Sequence, residues 1–64
     1  MIDFEGNKLE VGDKFLYQFG TVNQCVGEIF DCDGLQIIKW DDDEIVSVKD
    51  FYYGPSDSRL LKKI

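Results

Sequence analysis

The sequence predicts an all-β fold in which five short strands close into a small barrel. Three observations carry this. Apolar and aromatic residues alternate at period 2 in short runs, which is the pattern of a half-buried strand. The runs recur at about 8–12-residue spacing, the rhythm of small barrels and sandwiches. No stretch sustains helical periodicity. Closing such a sheet removes the exposed edges that a small all-β domain must otherwise protect.

The elements follow in order. Residues 1–10 mix Asp, Gly, Asn and Lys with single apolar residues, and read as an N-terminal extension or a short hairpin turning at Gly6-Asn7. Val11-Gly12-Asp13-Lys14 is a second turn. The first strand, Phe15-Leu16-Tyr17-Gln18-Phe19, puts its three aromatics on one side. Gly20-Thr21-Val22-Asn23 is a loop. The second strand runs from Gln24 to Phe30, and Gly27 inside it marks a bulge or a close approach of backbone. Asp33-Gly34 is the strongest hairpin signal, because a type I′ turn needs positive φ at both central residues. Leu35 to Trp40 is the third strand, Asp41-Asp42-Asp43 turns the chain, and Glu44 to Lys49 returns as the fourth, with Val46 and Val48 facing inward. Asp50-Phe51-Tyr52-Tyr53 reads as a 3₁₀ turn that Gly54-Pro55-Ser56 ends. Arg59-Leu60-Leu61-Lys62 is the final strand.

Composition bounds the function. The chain has 64 residues, one domain spanning 1–64. An apolar share of 44% is too rich for disorder. The formal charge is −6, and there is no His. That removes the commonest general base and the commonest neutral metal ligand. Ser-His and Cys-His nucleophile pairs cannot form within the chain, and a zinc site would have only Cys25 and Cys32 to draw on. No enzyme, cofactor or metal is therefore expected, and so short a chain leaves little room for a ligand cavity of ~300 Å³ or more. The acidic balance disfavours nucleic acid and anionic membranes and favours a protein or basic peptide as partner. No apolar run approaches the ~20 residues of a membrane span. The first residues lack the pattern of a signal peptide. The expectation is a monomer in the cytoplasm, or in the host cytoplasm if the protein is virus-encoded, with both cysteines as free thiols.

Charge is unevenly distributed. Arg59, Lys62 and Lys63 place three of the seven cations in the last six residues, so residues 1–58 carry four cations against all thirteen acids, a charge of −9. Asp41-Asp42-Asp43-Glu44 concentrates four of those acids in one hairpin. At physiological salt the Debye length is ~8 Å, so these charges repel unless a cation or basic surface relieves them. The alternative is a solvated turn whose Asp residues tolerate left-handed angles. Asp31-x-Asp33-Gly34 opens like a calcium loop but lacks the third Asp and the closing Glu. The basic tail reads as edge protection, or as a clasp lying beside the acidic hairpin.

Four short motifs bring a resemblance. Val11-Gly12-Asp13-Lys14-Phe15, Val26-Gly27-Glu28-Ile29, Ile38-Lys39-Trp40-Asp41-Asp42 and Val48-Lys49-Asp50-Phe51 together resemble the SH3-like barrels, in particular Tudor-type and KOW-type modules. The resemblance implies a five-stranded SH3-like barrel with a short 3₁₀ turn before the last strand. It also implies a non-catalytic binding module, in some Tudor-type members one that holds methylated Lys or Arg in an aromatic cage. The hallmark Ala-Leu-Tyr-Asp-Tyr run of proline-binding SH3 domains is missing. Tyr17, Phe19, Trp40, Tyr52 and Tyr53 lie near strand ends or in the closing turn, where they are placed to share one rim. Their ring faces attract an ammonium by ~0.5–2 kcal/mol per contact. The alternative is that Phe15, Phe30, Phe51 and Trp40 fill a small core with the tyrosine hydroxyls pointing to water, and three adjacent aromatics at 51–53 cannot all point inward.

The leading expectation is a protein-interaction module whose contact surface is Tyr17, Phe19, Trp40, Tyr52 and Tyr53 with Asp41, Asp42, Asp43 and Glu44. One alternative is a small acidic inhibitor of the phage or virus type, mimicking nucleic-acid phosphates, which needs its acids in one stripe. The other is a KOW-like nucleic-acid-associated domain, which needs a local basic face around Lys8, Lys14 and the tail.

Overall fold

A computed structural model describes residues 1–64. The protein is mostly β: five antiparallel strands, β1 (Lys14–Phe19), β2 (Asn23–Cys32), β3 (Leu35–Trp40), β4 (Ile45–Ser47) and β5 (Leu61–Lys63), lie in one sheet in the order β4-β3-β2-β1-β5. β4 and β5 are its two ends. Between them in sequence come a single helical turn, α1 (Val48–Phe51), and a 3₁₀ helix, Pro55–Leu60. No helix is long and apolar enough to cross a membrane.

The first three strands stand where period 2 placed them, the first two slightly longer at their ends and the third with the expected bounds. At the β2–β3 hairpin, Asp33 has φ 52° and Gly34 φ 85°, the paired positive angles of a type I′ turn. Gly27 makes no bulge. It pairs in register with Phe15 on one side and Trp40 on the other. A Cβ there would lie 2.8 Å from both Ile38 Cγ2 and Phe15 Cζ, so the glycine lets two large side chains close over the backbone.

Three expectations in the second half are corrected. The fourth strand stops at Ser47 instead of reaching Lys49, because Val48 and Lys49 turn into α1. Ser47 Oγ donates to Asp50 Oδ2 at 2.7 Å, and Tyr52 N–H closes the turn on Val48 O at 2.8 Å. The 3₁₀ segment is not 50–53 but Pro55–Leu60. Pro55 begins this helix instead of ending one, since its fixed φ and missing N–H suit a first helical position. The last strand consequently shifts to Leu61–Lys63.

Register divides β1 between two sides. Phe15, Tyr17 and Phe19 share a side with Cys25, Gly27, Ile29, Ile38, Trp40, Val46 and Leu61, whereas Lys14, Leu16 and Gln18 share the other with Val26, Glu28, Phe30, Lys39 and Lys62. The core forms on the first side from Leu9, Phe15, Ile29, Ile38 and Leu61, with Val46, Val48 and Phe51 packed against it. Each fully buried apolar side chain contributes roughly 1.5–3 kcal/mol.

Residues 1–10 form a hairpin that the core depends on. Ile2 bridges Lys8, and Leu9 N–H donates to Met1 O. Asp3 is 2% exposed and its carboxylate accepts from Glu5 N–H, Asn7 N–H, Asn7 Nδ2 and, at 2.9 Å, Lys63 N–H. Phe4 N–H donates to Leu61 O. The hairpin thus ties the start of the chain to the outer edge of β5. Burial raises the Asp3 pKa, and the four hydrogen bonds more than offset it, so the carboxyl lies below its usual value.

Candidate functional site

The end of the core side nearest the β3–β4 turn gathers most of the predicted contact residues. Period 2 in β1 brings Tyr17 and Phe19 onto one side, where their rings stack with centroids 5.3 Å apart. Tyr17 lies 5.7 Å from Trp40, the last residue of β3. Phe51, carried in by α1, meets Tyr17 edge-on at 5.1 Å and Trp40 at 5.1 Å. Phe15 continues the cluster inward, 5.6 Å from Trp40. These distances are those of mutually satisfied aromatic pairs. The rings fill the space that a methyl-ammonium cage would leave open. Phe19, 40% exposed, is the ring that reaches furthest into solvent.

The acidic turn adjoins this cluster. Asp41 is bound to β2 through two contacts: its N–H donates to Val26 O at 2.9 Å, and its Oδ2 accepts from Val26 N–H at 3.4 Å. Asp42 Oδ1 accepts from Glu44 N–H at 3.1 Å, and Asp43 takes the left-handed φ of 69°. Trp40 N–H to Glu44 O closes the turn at 2.8 Å. Lys39 Nζ stands 3.8 Å from Asp43 in an exposed pair worth ~0–1 kcal/mol. The turn therefore has structural reasons for its Asp residues, and it also holds all four carboxylates at the solvent face.

Cys25 connects the acids to the rings. It pairs with Tyr17 across β1–β2 and is half-buried. Burial, then the charges of Asp41 and Asp42, push its thiol pKa up. A protonated thiol is the reverse of an activated nucleophile. Cys25 and Cys32 are both free. Seven positions along one strand separate them by about 23 Å and on opposite sides, far beyond disulfide reach.

Tyr52 and Tyr53 lie outside the ring cluster. Tyr52 packs on the core with its hydroxyl 2.7 Å from Ser58 Oγ. Tyr53 is 82% exposed, and its N–H donates to Asp57 Oδ2. Phe51 and Cys25 were absent from the expected surface. Phe51 packs on the core as the sequence suggests, and the turn of α1 also brings its ring against Tyr17 and Trp40, whereas Phe30, expected in the same core, is 39% exposed on the other side of the sheet.

No family model, curated protein or solved structure matches this chain. Geometry alone weighs the remaining readings. No three acidic or thiol side chains gather as a metal-holding group, and Asp31-x-Asp33-Gly34 is a plain hairpin turn. The acids form no single stripe: Asp31 and Asp33 lie at one end of β3 and Asp41–Glu44 at the other, about 20 Å apart. Lys14, Glu28 and Lys39 form a mixed-charge row between them. The tail makes no clasp with the acidic turn. Its ion pair is Lys63 with Asp13, at 3.6 Å. The surface also holds an open groove of about 450 Å³, larger than so short a chain suggested.

Proposed function

We propose that the chain is a non-catalytic module of the SH3-like type that binds a partner protein through a basic surface patch. Tyr17, Phe19 and Trp40, with Asp41 and Asp42 beside them, form the contact. The observation that carries this reading is the contiguity of the ring cluster and the acidic turn, with the Asp41 and Asp42 charges acting on Cys25 opposite Tyr17. An exposed ring beside fixed carboxylates suits a Lys or Arg side chain, which lays its apolar stem on the ring and its charge against the acid. The sheet order, with β5 paired to β1 and helical turns just before β5, supports the SH3-like assignment. Tyr52 and Tyr53 have no part in this contact.

Titrating ¹⁵N-labelled protein with a Lys/Arg-rich peptide tests the proposal. The amides of residues 17, 19, 25 and 40–43 move, and the binding weakens as salt rises. Phe19→Ala with Asp42→Asn removes it. Peptide binding that the double variant leaves unchanged overturns the proposal.

A further inference from the structure

The open groove of about 450 Å³ lies on the opposite side of β1 from the ring cluster. Leu16 and Gln18 form its floor, Leu60 and Phe4 its apolar walls, and Arg59 and Lys62 its charged rim. In a protein with thirteen acids and seven cations, no acid lines this groove. The molecule's two ion pairs, Lys39–Asp43 and Lys63–Asp13, leave both rim cations unpaired. Phe4 is 56% exposed, although its backbone is fixed by the hydrogen bond to Leu61 and by the neighbouring Asp3 carboxylate. Apolar side chains are thus held open to solvent between two cations that no acid pairs, in a groove whose lining carries no acid.

We infer that this groove is a second binding site, and that its occupant is an acidic peptide segment of a partner protein with apolar side chains beside its carboxylates. Charge complementarity selects the carboxylates, which Arg59 engages in bidentate fashion and Lys62 as a point charge. Leu16, Leu60 and Phe4 select the apolar side chains. The openness of the groove selects a peptide over a small molecule, because small-ligand sites enclose 70–90% or more of their ligand. This site is independent of the aromatic–acidic rim: it lies on the other side of the sheet and takes the opposite charge.

The test is a titration of ¹⁵N-labelled protein with a ten-residue peptide alternating Glu and Leu. The expected result is movement of the amides of residues 4, 16, 18 and 59–62, with no movement at residues 40–43. Arg59→Glu with Lys62→Glu weakens binding roughly tenfold, about the sum of two exposed charge contacts. Phe4→Ser, at an exposed side chain, weakens it separately, and the unchanged spectrum of each variant away from the groove reports an intact fold. The inference is overturned if the peptide moves no groove amide, or if the double variant binds it as tightly. It is equally overturned if inorganic phosphate or a single-stranded oligonucleotide competes at the peptide's own affinity, since the site then selects any anion. Sedimentation showing that a second copy of the chain fills the groove through its acidic turn overturns it as well.

Discussion

The two sides of strand β1 make opposite use of one six-residue run. Phe15, Tyr17 and Phe19 enter a packed ring cluster that ends beside four carboxylates. Lys14, Leu16 and Gln18 face the other way, and the last two floor a groove rimmed by Arg59 and Lys62. The difference lies first in packing. One side is closed by rings at 5.1–5.7 Å, whereas on the other Phe4 and Leu60 flank an open groove over Leu16 and Gln18. It lies also in charge. The ring cluster ends beside the four acids of residues 41–44, whereas the groove is lined by Arg59 and Lys62 and by no acid.

Packing predicts the largest contrast. Phe15→Ala removes a fully buried ring and costs about 3–5 kcal/mol in urea unfolding. Leu16→Ala, one residue on and half-buried over the groove, costs about 1 kcal/mol or less. Equal losses would break the distinction between a closed and an open side. Gly27→Ala comes next, at about 1–3 kcal/mol, because the added methyl meets Ile38, Phe15 and Trp40 within 3.0 Å.

Asp3 links the two sides, since it fixes both Phe4 at the groove and the β5 edge of the core. Asp3→Asn sets an amide donor against the N–H groups that the carboxylate accepts, and should lower stability by about 2–3 kcal/mol at neutral pH. The folded pKa is lowered, so the carboxylate's contribution is complete above the unfolded value of about 3.9 and is lost as pH falls through the folded value. Acid titration of stability below about pH 4 should therefore be steeper in the parent than in Asp3→Asn. The smallest expected effect concerns the thiols. Exposed Cys32 should react with iodoacetamide before Cys25, and Asp41→Asn with Asp42→Asn should speed alkylation of Cys25 by lowering its raised pKa.

The strands and the Asp33-Gly34 turn were legible because each rests on a local rule: period 2, or positive φ at two named positions. The region after Ser47 was not. Val46 and Val48 alternate with Ile45, Ser47 and Lys49 like a strand, and α1 is a single turn, too short for helical periodicity to register. A signal was present all the same: Ser47-x-x-Asp50 is the spacing of a capping pair. Pro55 likewise fits the first position of a helix as well as the end of one. Of the candidate site, Tyr17 and Phe19 follow from alternation, and the acidic turn from composition. Phe51 could not be placed without α1, and the Asp3 clasp joins residues sixty positions apart, a separation that no local pattern encodes. The groove was hidden for the same reason, being assembled from the N-terminal hairpin, β1 and the tail.

The most direct measurement is a crossed titration of one ¹⁵N-labelled sample with the Lys/Arg-rich peptide and then, separately, with the Glu/Leu peptide. The predicted result is two disjoint sets of moving amides, residues 17, 19, 25 and 40–43 for the basic peptide and residues 4, 16, 18 and 59–62 for the acidic one. A single set that moves with both peptides would contradict the separation of an acid-flanked ring cluster from a cation-rimmed groove.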